Sequence, residues 1–389
     1  MKSLILLSLL LYVTGCGDRT GAGAATDPSN RTAALLPELR IDGWTEELVP
    51  IAALAVSSDG VIAFTQAQDG QVRFYAASGK PLGRLGRRGE GPGEFLNPYR
   101  LGWVADTLWV YDGRQRRISF VTPERTVART LGNIPGAALP RPEDAGRVPE
   151  FPFAFVSGIA PDGSFLASMG FAVNQPVPEE YRGRSVVGLL DQGGTVQEIL
   201  SILPEEEGGS LTTPEGGSAS VPFGNRPQVA FSPRGEMVAF AMASLDGPDA
   251  GTFLLTAISP AGDSIFSRRY ELLLEPIPAS VSDSARTALI DRLQRVGPSF
   301  VAAARDAFIP GHYPPLEGLV IGMDGTLWVQ KRPMAAGVPY LATEPNGEVI
   351  GALVLPGRSR IAAAQRDRIW VIERDSLNVE SVVRYAVSW

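Results

Sequence analysis

The chain holds one cysteine, Cys16, and one histidine, His312. That restricts its chemistry before any fold is considered. Thiolate-based or multi-histidine metal sites need several such ligands together. A serine–histidine–carboxylate arrangement would have to use His312. That residue sits in Gly311-His312-Tyr313-Pro314-Pro315, with no nucleophile-elbow motif nearby. Acidic residues are numerous, which leaves carboxylate chemistry and oxygen-ligated calcium open, but they show no EF-hand or RTX spacing. No cofactor fingerprint is found, and the expectation is a binding protein without a cofactor rather than an enzyme. What remains is a set of charged loop residues: Arg87, Arg88, Glu90, Glu94, Arg114, Arg116, Arg226, His312, Tyr313, Lys331 and Arg332. The Gly89–Phe95 loop among them has two readings. Its backbone amides present themselves to an anion beside the arginines, or its glycines and proline shape a tight turn in which Glu90 and Glu94 pair with arginines.

The net charge is −7 and the isoelectric point about 5.1. Binding nucleic acid takes a basic footprint, which this composition lacks, so no nucleic-acid partner is expected. Lysine occurs only at positions 2, 80 and 331. With 389 residues, 44% of them hydrophobic, the chain is able to bury a sizeable core.

Lys2 and the apolar run Ser3–Val13 have the form of an export signal, too short to span a bilayer as a helix. The run ends in Val13-Thr14-Gly15-Cys16, which resembles the bacterial lipobox. The resemblance implies a signal peptide over 1–15, lipidation at Cys16 and a flexible linker over 16–35. It places the mature chain outside the cytoplasm, held to a membrane by its lipid anchor, on the periplasmic side or at the cell surface. With Cys16 acylated no internal disulfide forms, and stability has to come from packing.

A short pattern, a turn followed by an apolar strand, occurs six times. It is centred on Ile62, Leu108, Phe165, Met237, Leu327 and Ile369. The shorter spacings approach the forty-odd residues of one four-stranded propeller blade. A strand carrying a small residue precedes each: Ala53-Leu54, Gly102-Trp103, Gly158-Ile159, Ala230-Phe231, Gly318-Leu319 and Ala362-Ala363. Small residues are expected where inner strands crowd a central axis. Turn residues such as Ser78-Gly79, Gly193-Gly194 and Asn346-Gly347 then separate two further strands in most units. The last unit lacks its outer strand, and Pro37–Asp42 is expected to supply it, closing the ring and removing a free edge.

Gly89-Glu90-Gly91-Pro92-Gly93-Glu94-Phe95, Pro98, Asp106-Thr107-Leu108-Trp109-Val110, Asp112 and Arg116-Arg117-Ile118-Ser119-Phe120 resemble an NHL repeat. Residues 36–389 resemble the bacterial six-bladed β-propeller lipoproteins related to NHL proteins. The resemblance implies an all-β fold: six four-stranded antiparallel blades, with the ring closed by an amino-terminal strand. It carries little about activity.

One segment, about 280–308, departs from strand periodicity. Ser282 is the expected helix cap, and Leu289, Ile290, Leu293 and Val296 follow at helical spacing up to Gly297-Pro298. This helical insert precedes the fifth blade. The long connections, Gly86–Tyr99, Gly132–Phe153, Gly170–Arg184, Pro204–Pro227, Met242–Gly251 and Glu275–Pro314, all fall between blades or between second and third strands. Those positions share one face of a propeller, which makes that face the expected binding surface. The expected partner is a protein or peptide of the cell envelope. The alternative is an enzyme or carbohydrate-binding protein with a site in the axial funnel.

Overall fold

The structure, a computed structural model, describes residues 31–132, 137–138, 150–151, 153–170, 181, 184–204, 209–214, 218–245 and 250–389. Cys16, the lipobox and residues 16–30 of the expected linker lie outside those residues. Six four-stranded antiparallel sheets form the ring. Their innermost strands are Ile51–Val56, Pro98–Val104, Phe153–Ile159, Gln228–Phe231, Leu316–Ile321 and Arg358–Gln365, in blades 1 to 6. The turns behind the sequence pattern are real ones: Gly60, Gly163 and Gly325 sit at φ of 82–87°, where a side chain is strained.

The second strand of each blade shows why these segments read as unbroken apolar runs. Side chains alternate between the two faces of a strand. In Leu108-Trp109-Val110-Tyr111, the residues Leu108 and Val110 pack toward blade 1, while Trp109 and Tyr111 pack toward blade 3. In Leu327-Trp328-Val329 the outer two face blade 4 and the tryptophan faces blade 6. Ile369 and Val371 face blade 5, and Trp370 and Ile372 face blade 1. The blade 3–4 seam is filled by Leu166, Val187, Val238 and Phe240. The core is therefore six interfaces arranged in a circle, and each blade is sandwiched between two of them.

Blade 6 closes the circle. Ala34–Ile41 pairs antiparallel with Glu380–Ser388, the third strand of the blade. The strand lies a few residues earlier than expected, because chain attachment starts sooner. Ala33 N–H donates to Ala352 O at 2.8 Å, Ala352 N–H donates to Arg31 O at 2.8 Å, and Arg31 reaches the Trp389 carbonyl. Residues 31–35, read from sequence as part of the linker, are thus held against the ring.

Two carboxylates are the charged side chains fully buried among the described residues. Asp112, at the end of the second strand of blade 2, accepts from the backbone N–H groups of Leu96 (2.7 Å), Asn97 (3.2 Å), Arg114 and Gln115 (both 3.0 Å), and from Gln115 Nε2. It ties the turn after its strand to the entry of the innermost strand. Glu380 sits at the ring seam. It accepts from Ile51 N–H of blade 1 at 2.6 Å, from Arg360 at 3.2 Å and from Arg374 at 2.5 Å, while Arg360 also donates to Ile51 O. Gly43 passes so close that an added Cβ would lie 2.1 Å from Glu380 O.

The small residues of the inner strands have a different cause from the one expected at one position. Gly102 pairs directly with Trp109, and a Cβ there would lie 2.8 Å from the indole ring. The glycine makes room for a cross-strand tryptophan rather than relieving crowding at the axis. The insert is helical, as α1 (Ala279–Gln294) and α2 (Pro298–Arg305). Its start is not capped by Ser282. Pro278 precedes the first turn, with its carbonyl accepting from Val281 and Ser282, so Ser282 lies inside the helix. Leu289 and Leu293 are buried but Val296 is exposed, since the helix ends before it. The insert packs on a second extra piece that was expected only as loop, a hairpin of Ser210–Thr212 and Ser218–Ser220. Leu211, Val221, Leu289, Leu293, Phe300 and Ala304 form their shared core.

Removing a buried carboxylate strands its donors without water. Asp112→Ala and Glu380→Ala are each expected to lower unfolding free energy by about 3 kcal/mol or more in denaturant titrations. Glu348→Ala, an exposed control, should stay within about 0.5 kcal/mol of wild type. Losses under about 1 kcal/mol at both buried sites would contradict their role as ties.

Candidate binding face

First-to-second strand connections, and third-to-fourth connections in blades 1 to 5, are tight turns, so the remaining connections gather on the opposite face. All the charged residues singled out from sequence lie on that loop-rich face. They do not converge on one point.

Around blade 2, Glu94 accepts from Arg87 Nε and from Gly91 N–H (2.6 and 2.9 Å). These bonds, the amide first, hold its carboxyl below the ordinary range. Arg117 donates to the carbonyls of Glu90, Gly91 and Glu94, and Gln115 to that of Gly89. The loop therefore spends its polar groups on itself. It is the tight turn of the two readings, with Glu94 already occupying the place an anion would take. The Glu90 side chain is exposed, and Arg88 makes only a long contact to Gln68 O. Arg114 is exposed above Asp112.

Arg116 holds a left-handed backbone, φ 51°, and sets its guanidinium 5.7 Å from the Phe153 ring. Phe153 stacks on Phe155 at 6.3 Å. Arg100 lies 4.5 Å from the centre of the Tyr99 ring. Sequence reasoning missed this arginine–aromatic group. The available signal was Phe153-Ala154-Phe155 at the entry of an inner strand, which puts both rings on one side.

Around blade 5, Arg332 pairs with Glu275 at 2.7 Å and covers the Tyr313 ring at 3.6 Å. Tyr313 meets Phe223 edge-on at 5.2 Å. His312 is half-buried beside them, in a bridge pairing with Pro276. Arg226 is bonded to Gly209 O. Lys331 is half-buried, burial lowers its pKa, and no ion pair among the described residues offsets this. Burial also raises Glu317, against the opposing pull of Arg332.

Apolar exposure is uneven between the faces. Trp44 (59% exposed), Tyr99, Phe153, Phe155 (46%), Met334 and Leu377 all stand on the loop-rich side. Among the described residues, no group of three or more histidine, cysteine, aspartate or glutamate side chains is placed to hold a metal.

No family profile matches the sequence, and no curated protein matches it. Among solved structures, a member of the DUF4221 family from Bacteroides vulgatus matches with a TM-score of 0.51 and 11% identity, over 92% of this chain and 98% of that one. A putative exported protein from Bacteroides fragilis gives 0.42 and 10%, over 92% and 94%. Virginiamycin B lyase from Staphylococcus aureus gives 0.35 and 14%, over 90% and 88%. At these identities the likeness is one of fold: the chain is a six-bladed β-propeller.

Proposed function

We propose that this protein is an extracytoplasmic binding or scaffold lipoprotein, NHL-like in its repeat, that engages a protein or peptide partner through its loop-rich face. One observation carries the reading. The exposed aromatic side chains of the ring and its loops, Trp44, Tyr99, Phe153 and Phe155, crowd that face, with Arg100 and Arg116 stacked among them. Exposed aromatic and arginine side chains are the residue types that dominate protein interfaces. Scattered exposed leucines would need no explanation, but a one-sided aromatic group does.

No helix among the described residues is long and apolar enough to cross a membrane, which fits attachment by acyl chains at Cys16. The second reading, a small ligand in the axial funnel, is favoured by Lys331, whose desolvation no ion pair among the described residues offsets.

The experiment is photo-crosslinking in the producing cells, with the reactive residue at Arg116 or Phe155 and a control at Asp162 on the short-turn face. The same protein adduct from both first positions, lost when Phe153 is also changed to alanine, is the expected result. Adducts of equal yield from Asp162, or none from either loop position, would contradict the partner reading. Lys331→Met should leave the adduct intact. A separate expectation concerns anchoring: Cys16→Ser should move the protein out of the membrane fraction and abolish incorporation of labelled fatty acid. Unchanged labelling would refute lipidation at Cys16.

A further inference from the structure

The short-turn face holds a cleft of about 340 Å³ at the seam between blades 1 and 2. Its floor is Trp103, Phe74 and Leu82, and its rim carries Asp59, Asp106 and Arg125. Four other seams on this face are drawn together. Tyr270 donates to Gly347 O across blades 4 and 5, and Arg366 N–H donates to Asp324 at 2.7 Å across blades 5 and 6. Arg384 reaches Ala77 O at 2.7 Å across blades 6 and 1. At blades 3 and 4 the turns touch so closely that a Cβ on Gly235 would lie 1.9 Å from Ile159 O. At blades 1 and 2 no hydrogen bond or ion pair joins the turns that flank the cleft. Asp59 bonds to Ser57 in its own turn. Among the described residues the Asp106 carboxylate has no hydrogen bond, and the Arg125 guanidinium interacts only with its neighbour Glu124.

Arg125 also breaks a pattern internal to the molecule. The turn between third and fourth strands places one residue at positive φ in each of blades 1 to 5. Blades 1, 3, 4 and 5 use glycine there: Gly79, Gly194, Gly262 and Gly347, at 80–87°. Blade 2 uses Arg125, at φ 64°. A non-glycine residue in that region is strained. The side chain kept in that conformation projects from the rim of this open seam.

We propose that this cleft binds a neutral polyhydroxylated ring, a mono- or disaccharide. A carboxylate and a guanidinium, unpaired with each other, stand over an aromatic floor. An anion would meet repulsion from Asp59 and Asp106, and a cation would have to sit beside the Arg125 guanidinium. Vicinal hydroxyls satisfy both, donating to Asp106 and accepting from Arg125. The C–H face of the ring then lies on Trp103 and its neighbours. The volume sits at the small end of ligand pockets, about 300–1,000 Å³. This site is independent of the loop-rich face and stands or falls separately from it.

The test is saturation-transfer NMR and calorimetry on the full chain in detergent. The probes are glucose, galactose, N-acetylglucosamine, maltose and cellobiose, with choline and inorganic phosphate as charged comparisons. At least one sugar should bind and the charged probes should not. Arg125→Gly removes the guanidinium while relieving the backbone, so it should weaken that sugar at least tenfold without lowering the melting temperature. Asp106→Asn should weaken it similarly, and Asp162→Asn on blade 3 should not. No binding by any of the five sugars, binding of choline or phosphate instead, or sugar affinity unchanged in Arg125→Gly would overturn the proposal.

Discussion

The second strand of every blade has two buried faces, and the rest of the molecule follows from that. A strand such as Leu327-Trp328-Val329 cannot be satisfied within its own blade, because its alternate residues belong to different seams. Burying both sets requires a neighbour on each side, and the neighbour has the same need. The requirement ends only when the sixth blade meets the first. A ring is therefore the way these sequences hide their apolar surface, and no central core has to exist. The cost of an open ring would fall on Ile62, Phe64, Trp370 and Ile372 together, at about 1.5–3 kcal/mol for each large apolar side chain exposed.

That constraint explains where the buried charge went. Blade edges near the axis bring backbone groups of different blades together, and each needs a partner away from water. At the closing seam Glu380 and Arg360 take the N–H and carbonyl of Ile51. At the blade 5–6 seam the Tyr340 hydroxyl accepts from Ile361 N–H. At the blade 2–3 seam Tyr111 donates to Ala154 O. The ring is held by apolar packing, and these polar contacts set which blade edge meets which. With the frame fixed, loops on one face are free to vary, and the exposed aromatic residues collect there.

Much of this was legible in sequence. Strand alternation, glycine turns and the apolar runs around Ile62, Leu108 and Ile369 gave the blades nearly to the residue. The short last unit pointed to ring closure, because an unpaired edge is costly. The misses have physical causes. Ser282 has a cap's chemistry, but Pro278 starts the helix one turn earlier. Gly102 has an axis residue's size, but its partner Trp109 explains it. The hairpin at Ser210–Ser220 is too short to show periodicity and exists because it packs on the insert. At the candidate face, residue type identified the arginines, but only the fold shows that Arg116 lies against Phe153. Sequence left the Gly89–Phe95 loop with two readings, and the bonds of Glu94 to Arg87 and Gly91 select the tight turn.

The central claim is that the chain is one closed circuit in which the strand Ala34–Ile41 is as integral as any other. Native-state hydrogen exchange read by mass spectrometry tests it directly. The account predicts that amides of Ala34–Ile41 and of its partner Glu380–Ser388 exchange at the same slow, globally limited rate as the second strands of blades 2 and 5. Exchange of Ala34–Ile41 orders of magnitude faster than those strands, with the rest of the ring still protected, would contradict it.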